Sequence, residues 1–159
     1  MIVDKKLKNY FINLMISEDQ AIGIYEAEVF LNISPKDIFR KILLEEISHE
    51  RELIIIIDEM NWKLSGQQVL LLKLNRILGW GIGILLSIIP KRLCFIFHQT
   101  GEIKAANDYI KLKSFIDQHN YFESFSSTKV KTILDKIIEN EKLHSDTFKT
   151  LSANEFKEK

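Results

Sequence analysis

Apolar residues recur at steps of three and four along most of the chain, which is the spacing of one face of an α-helix. Two of these apolar faces are interrupted by the same polar pair, a glutamate followed three positions later by a histidine. The first series is Phe39, Ile42, Glu46, His49, Leu53, Ile56 and Met60, and the second is Val130, Leu134, Ile137, Glu141, His144, Phe148 and Leu151. Both series predict helices that pack in a bundle.

The polar pair on these two faces indicates metal binding. A carboxylate on a buried helix face is costly unless it is paired or bound to a metal ion. Glutamate and histidine three positions apart lie on the same side of a helix, where both can reach one ion. Two helices with the same pair therefore predict a shared internal metal site whose ligands include Glu46, His49, Glu141 and His144.

Two further segments carry a second motif, in which a glutamate is followed by an alanine three positions later and a tyrosine seven positions later. Its two copies are Glu18, Ala21, Tyr25 and Glu102, Ala105, Tyr109. The chain thus reads as two helical hairpins, each with one Glu and then one Glu-x-x-His, which is the ligand set of a ferritin-like di-iron carboxylate bundle. Four carboxylates balance two divalent ions, and mixed oxygen and nitrogen ligands favour iron or manganese. The alanines leave room for a substrate or oxygen.

Other residues on these faces are expected to have structural roles. Tyr25 and Tyr109 should lie in the core with their hydroxyl groups hydrogen-bonded. Glu28 and His98 can serve as a spare ligand or as a partner of one, but we expect them to be exposed at the end of the bundle. His119, in a loop, should face solvent.

Turn signals predict five helical segments, at approximately 4–32, 34–62, 67–90, 91–119 and 126–151. A break is expected in the first near Ser17. Ser34, followed by Pro35, is the expected N-cap of the second segment, and Ser65-Gly66 separates the second from the third. The N-cap of the last segment is expected at Ser126, Ser127 or Thr128, and residues 152–159 should form a polar tail.

Composition narrows the class of protein. A chain of 159 residues is long enough for one domain, 1–159, with a substantial core. The 22 basic and 22 acidic residues cancel, so no global charge favours nucleic acid. The single cysteine, Cys94, excludes an internal disulfide framework or a four-thiolate site and is expected to be an inert core thiol. The N-terminus does not resemble a targeting signal, which predicts a bacterial-type cytoplasm.

The third segment is the most apolar part of the chain. No charge occurs from Ile77 to Ile89, and Pro90-Lys91-Arg92 ends this run. The uncharged run is shorter than the roughly 20 residues that span a bilayer. It predicts either a buried core helix or a helix in the membrane interface with its basic end near lipid headgroups. We favour the interface, because four other apolar faces already close the core.

Between about Ser17 and Phe148 the chain resembles the demethoxyubiquinone hydroxylases of ubiquinone biosynthesis. The likeness rests on Glu18–Tyr25, Glu45–His49, the glycine-rich run Leu78–Gly83, Glu102 seven positions before Tyr109, and Glu139–His144. The glycine-rich apolar run is more specific than the ligand motifs, because ferritins and other iron-handling relatives lack it. The family has a histidine immediately before the tyrosine of the fourth helix and glycine beside the first ligand, where this chain has Asp108, and Ser17, Asp19 and Gln20.

The resemblance implies a monooxygenase on the periphery of the inner membrane that hydroxylates a polyprenylated methoxy-benzoquinol ring. It implies O2 as oxidant, NADH as the source of electrons, and two iron ions at the six ligands, with manganese as a substitute. Tyr109 and Asp108 are the residues it suggests for the chemistry, and Ile77–Arg92 is the membrane contact. It is also consistent with a lipid-binding accessory protein and with a homo-oligomer.

The sequence leaves two other functions open. One is a ferritin-like protein that oxidises iron or consumes peroxide without a quinone, and the other is a bundle that keeps the pattern only as structure. The apolar run at Ile77–Ile89 argues against the first of these, because a soluble iron store has no use for it. Bound metal would distinguish the quinol hydroxylase and the ferritin-like protein from the bundle that keeps the pattern only as structure.

Overall fold

The structure, a computed structural model, describes residues 2–119 and 125–155, with side chains described for residues 5–119 and 128–155. Within these ranges the chain is all-α, as predicted, and contains no strand. Its helices are α1 (Ile2–Phe30), α2 (Lys36–Glu59), α3 (Gly66–Ile88), α4 (Lys91–Gln118) and α5 (Phe125–Asn154).

Four of the helices surround the core in a closed ring. In this ring α1 contacts α2, α2 contacts α5, α5 contacts α4, and α4 contacts α1. Each presents the apolar face that its periodicity predicts, and the buried apolar residues form two clusters. One cluster contains Phe11, Leu53 and Leu134, and the other contains Phe39, Phe95 and Phe148.

The predicted N-cap of the second helix is wrong. Helix α2 begins at Lys36 with Pro35 rather than Ser34 at its N-cap, and no side chain caps it. Pro35 has an extended backbone (φ −89°, ψ 106°), so it lies before the first helical residue instead of within the first turn. Its carbonyl accepts hydrogen bonds from the amides of Ile38 (3.1 Å) and Phe39 (3.2 Å).

Helix α2 ends at Glu59, earlier than the predicted Trp62. Asn61 adopts a left-handed conformation (φ 53°), and the amide of Trp62 donates a hydrogen bond to the carbonyl of Ile57 at 3.0 Å. This is a common way to end a helix. The predicted break before α3 is confirmed, because Ser65 caps α3 in a reciprocal pair of hydrogen bonds with Gln68.

Two other local predictions are wrong. Helix α1 continues through Ser17 without a break, because packing against three neighbouring helices overrides the local capping signal. Helix α5 already begins at Phe125 and includes the expected caps Ser126, Ser127 and Thr128. Its N-cap therefore precedes them and lies outside the described residues.

Of the two alternatives for α3, the less favoured one, a buried core helix, is wrong, because only Leu72, Gly79, Gly83 and Leu86 of this helix are buried. The favoured alternative, a helix in the membrane interface, stays a prediction. Helix α3 lies outside the four-helix ring, along α1. Although its uncharged run is short, the whole helix of 23 residues is long and apolar enough to cross a membrane by length and composition alone, and 22% of its most apolar window is buried. Its large exposed apolar residues are Val69, Leu70, Leu71, Leu74, Ile77, Leu78, Ile84, Leu85 and Ile88.

Glycines allow α3 to approach the backbone of α1. An added Cβ at Gly79 would overlap the carbonyl oxygen of Gln20, and one at Gly23 would overlap the carbonyl oxygen of Arg76. Arg76 also holds the two helices together, since its guanidinium donates to Glu26 through Nε at 3.2 Å. The close approach therefore places one face of α3 firmly against α1 and turns the other outward.

We predict that Gly79→Ala destabilises the protein and that Gly81→Ala does not. The first substitution forces the helices apart and should cost about 1–3 kcal/mol. Gly81 is the matched control in the same helix, because an added Cβ there meets no atom within 4 Å and alanine favours a helix by about 1 kcal/mol. Urea unfolding measures both variants. Equal stabilities would contradict this account of the α1–α3 contact.

Candidate metal centre

The six predicted ligands come together at the centre of the four-helix ring. Helix α1 supplies Glu18, α2 supplies Glu46 and His49, α4 supplies Glu102, and α5 supplies Glu141 and His144. Each is buried, with 0–6% of its surface exposed. Since every helix of the ring contributes, the site depends on the whole bundle rather than on one local motif.

The ligand atoms form two overlapping groups. One contains Glu18, Glu46, His49 and Glu141, and the other contains Glu46, Glu102, Glu141 and His144. Within each group the candidate atoms lie within 4.8 Å of one another. Because Glu46 and Glu141 belong to both groups, their carboxylates can bridge two ions, while the remaining residues each serve one.

The Nδ1 atoms of both histidines face the carboxylates. Nδ1 of His49 lies 3.1 Å from Glu141 Oε1 and 3.8 Å from Glu18 Oε2. Nδ1 of His144 lies 3.3 Å from Glu46 Oε1. Each imidazole therefore directs one ring nitrogen to the centre and leaves the other for a protein partner.

The outer nitrogens are held by residues that we did not single out. Nε2 of His144 lies 2.8 Å from Glu45 Oε2, and Nε2 of His49 lies 3.2 Å from the amide nitrogen of Asn140. Partners of this kind fix the orientation of a metal-binding imidazole. A signal was available in the sequence, since Glu45 and Asn140 each directly precede the glutamate of a Glu-x-x-His motif.

The two tyrosines bind the glutamates of the opposite helix. Tyr25 on α1 donates its hydroxyl hydrogen to Glu102 Oε1, and Tyr109 on α4 donates to Glu18 Oε1. Both rings are buried, as predicted for core tyrosines with hydrogen-bonded hydroxyls. Burial, followed by the charge of the adjacent glutamate, raises the pKa of each hydroxyl well above its usual range. The tyrosines thus orient the two glutamates and stay protonated.

Asp108 lies apart from the six residues. Its side chain is 31% exposed and pairs with Lys104 at 3.1 Å and with Lys111 at 2.8 Å. Burial raises its pKa, but the hydrogen bonds from the two lysines outweigh that effect and lower it. Asp108 is therefore half-buried beside Tyr109, where it lines the cavity described below and stays ionised.

The centre contains many buried polar atoms that lack a hydrogen-bond partner in the described part of the chain. They are Oε2 of Glu18, Oε1 of Glu46, both carboxylate oxygens of Glu141, and Nδ1 of His49 and His144. Buried groups of this kind are rarely left unsatisfied in native proteins. Four carboxylates and two neutral imidazoles bring a charge of −4, so the donor set fits two divalent cations.

Without a metal ion, protons must neutralise the centre. Burial and the charge of Glu46 raise the pKa of Glu18 to about 8, and the same causes raise the pKa of Glu141 well above its usual range. Burial lowers the pKa of His144, but the nearby carboxylates of Glu102 and Glu46 outweigh it and raise the pKa to about 10. Nearby carboxylates raise the pKa of His49 in the same way. For Glu46, the effect of burial is outweighed by the two nearby imidazoles, which lower its pKa.

A cavity of about 240 Å³ between α1 and α4 reaches this centre. It touches all four carboxylates and both tyrosines, and Ala21 and Ala105 line it, as expected for small residues that leave room. Phe97, which is 44% exposed, and Gly101 also line the cavity. A small molecule in this space would contact the metal-binding carboxylates directly.

The prediction that Glu28 and His98 are exposed is wrong, because their exposed fractions are 0% and 4%. Aromatic core residues cover this end of the bundle, and the imidazole of His98 stacks between Tyr25 (4.9 Å) and Phe148 (4.6 Å). Cys94 is buried, as expected, but it contacts Glu28. His119 is exposed, as expected, and its ring lies 4.5 Å from that of Phe115.

The fold and site define an all-α protein with a buried carboxylate and histidine cluster that can hold metal ions. Compared with protein-family models, with curated proteins and with solved structures, the chain has no match. The function is therefore argued from the geometry of the cluster and its cavity.

We predict that the metal-free protein loses stability as the pH rises from about 6 to about 10. Glu18, Glu141 and both histidines have raised pKa values in the folded state. A group whose pKa is higher in the folded than in the unfolded protein stabilises the fold at pH values below its unfolded-state pKa. That contribution is lost as the pH rises through its folded-state pKa. The lowered pKa of Glu46 acts in the opposite direction and only in acid.

Thermal unfolding with a chelator, and with excess Mn²⁺, measures this dependence. Mn²⁺ should raise the melting temperature most at the alkaline end, since there it replaces the lost protons. A metal-free protein whose melting temperature stays constant or rises between these pH values would contradict the prediction.

Proposed function

We propose that this protein is a ferritin-like di-iron monooxygenase that uses O2 to hydroxylate a polyprenylated methoxy-benzoquinol, demethoxyubiquinol, in ubiquinone biosynthesis. The observation that carries the proposal is the pair of overlapping ligand groups with Glu46 and Glu141 in common, open to one cavity. Two metal ions held by shared carboxylates beside an accessible space are suited to oxygen chemistry.

The six ligands would divide between the two ions. Glu18 and His49 would bind one, Glu102 and His144 would bind the other, and Glu46 and Glu141 would bridge them. Oxygen and nitrogen donors favour iron, with manganese as a substitute. When bound, the irons supply the activation of O2.

The protein residues would orient the metal ligands and keep water out of the cavity beside them. Tyr25 and Tyr109 each hold one oxygen of a terminal glutamate and leave the other oxygen free for metal. Glu45 and Asn140 hold the two imidazoles from outside. Ala21 and Ala105 leave the space in which the quinol ring would lie next to the carboxylates. Tyr109 lines the cavity, as Tyr25 does, and donates its hydroxyl hydrogen to Glu18, so its part in the reaction would be to hold that ligand.

Access from a membrane accounts for the apolar surface of α3. Gln20 and Ile24 line the cavity, and their backbone carbonyls are in contact with Gly79 and Gly83 of α3. The cavity therefore lies beside the helix that exposes more large apolar residues than any other described helix. A polyprenyl tail would extend along this surface, with Ile77–Arg92 in contact with the inner face of the cytoplasmic membrane.

Other parts of the proposal rest on the family resemblance alone. They are NADH as the source of electrons, a lipid-binding accessory protein and homo-oligomer formation. Location in a bacterial-type cytoplasm rests on the N-terminal sequence. Asp108 lines the cavity but is paired with two lysines, so it would have a supporting role beside Tyr109.

We predict that anaerobic loading with ferrous ions gives about two irons per chain. The variant Glu46→Ala/His144→Ala should retain well under half of this iron, because it removes a bridging ligand and a terminal one. Glu139→Ala is the matched control, since Glu139 is an exposed glutamate on the same helix as His144. Iron analysis after desalting measures the content. A wild-type protein that stays metal-free would remove every metal-dependent function.

We predict that Ala105→Leu lowers quinol hydroxylation by about tenfold or more while iron content is retained. The larger side chain takes up space in the cavity and leaves all six ligands in place. Asn107→Leu, at an exposed position of the same helix, is the control and should behave like the wild type. The measurement is complementation of a ubiquinone-deficient strain blocked at the demethoxy step, with quinones identified by mass spectrometry.

Unconverted intermediate with the iron-loaded wild-type protein would contradict the quinol hydroxylase. If that protein instead oxidised ferrous ions or consumed peroxide, a ferritin-like function without a quinone would replace it.

A further inference from the structure

A second cluster of metal-binding residues lies at the end of the bundle, on the other side of Tyr25 from the six-residue centre. Glu28 near the end of α1 faces Cys94 and His98, which are one turn apart on α4. One donor atom from each of the three lies within 4.8 Å of the other two. None of these residues belongs to the proposed di-iron centre.

We propose that Glu28, Cys94 and His98 form a separate mononuclear site for a divalent ion of the zinc and cobalt type. The sulfur of Cys94 lies 3.5 Å from Glu28 Oε1, and Nε2 of His98 lies 2.8 Å from the same oxygen. Usual zinc–ligand bond lengths in a tetrahedral site place the ligand atoms about 3.3–3.6 Å apart. The sulfur is already at this separation, and the imidazole would need to move by about half an ångström.

An independent sign of a missing ligand is the second oxygen of Glu28. The side chain is fully buried, and Oε2 has no hydrogen-bond partner in the described part of the chain. The surroundings are aromatic, with Phe39 and Phe95 in the same core cluster and His98 stacked on Phe148. A buried carboxyl group with an unsatisfied oxygen is unfavourable in such surroundings, and a cation held by this carboxylate, Cys94 and His98 would compensate for its burial.

Charge balance favours one divalent ion. A glutamate, a cysteine thiolate and a neutral imidazole bring a charge of −2, so one such ion makes the site neutral. On binding, the thiol proton of Cys94 is released to solvent and the sulfur bonds to the metal. Because a thiolate selects zinc-like ions, while the six-residue centre has only oxygen and nitrogen donors, the two sites should take different metals.

Cavities border two of the three residues, although all three side chains are buried. A cavity of about 270 Å³ is lined by Cys94 and Phe95 of α4, by the connection after α1 and by the end of α3. His98 lines the cavity of about 240 Å³ that reaches the six-residue centre. Three protein ligands leave one position of a tetrahedral zinc site for a further ligand. The bound ion would also fasten the end of α1 to the start of α4.

Cobalt is the sharpest probe, because Cys94 is the only cysteine in the chain. A thiolate-to-cobalt charge-transfer band in the near ultraviolet can therefore come only from this site. Titration of the full-length protein with Co²⁺ should produce the band with one equivalent, and Zn²⁺ should abolish it by competition. Cys94→Ser should remove the band, and Glu28→Gln or His98→Gln should weaken cobalt binding at the band by about tenfold or more.

The double variant Glu46→Ala/His144→Ala is the control and should keep the band, which separates this site from the proposed di-iron centre. A wild-type protein that is saturated with cobalt but shows no thiolate band would overturn the proposal, and this result does not require any variant to fold. A band of unchanged affinity in both Glu28→Gln and His98→Gln would also overturn it, since it would show that the thiol binds cobalt without the other two residues.

Discussion

The structure depends on the balance of charge among four carboxylates that are enclosed by four helices. Glu18, Glu46, Glu102 and Glu141 each lie at the centre of an otherwise apolar helix face, with an apolar cluster on either side. Such a set is unfavourable unless protons or cations neutralise it. The raised pKa values of two of these carboxylates and of both histidines show how protons do so when no metal is present.

The contacts around the centre repeat in pairs across the bundle. The tyrosine of α1 binds the glutamate of α4, and the tyrosine of α4 binds the glutamate of α1. Likewise, Glu45 on α2 holds a histidine of α5, and Asn140 on α5 holds a histidine of α2. Two similar hairpins therefore complete each other's site, and neither hairpin contains a full set of ligands or of their partners. The cluster therefore forms only when both hairpins are packed together in the bundle.

Sequence periodicity predicted the class of fold and all six residues of the centre, because a helix translates spacing directly into position on a face. It was insufficient for features that depend on neighbouring helices. For α3 it left a buried helix and a helix at the membrane interface as alternatives, and glycine contacts with α1 determine the face that α3 exposes. Glu28 and His98 were expected to be exposed because a periodic pattern does not show which rings cover the end of a bundle. The start of α2 depends on the backbone angles of Pro35, which the sequence motif alone did not indicate.

The central claim is that two cations lie among these six side chains and share Glu46 and Glu141. Anomalous X-ray diffraction at the iron edge, from crystals loaded with ferrous ions, tests it most directly. The account predicts two peaks about 3.5–4 Å apart, one beside Glu18 and His49 and the other beside Glu102 and His144. A single peak, or peaks only on the outer surface of the helices, would contradict it.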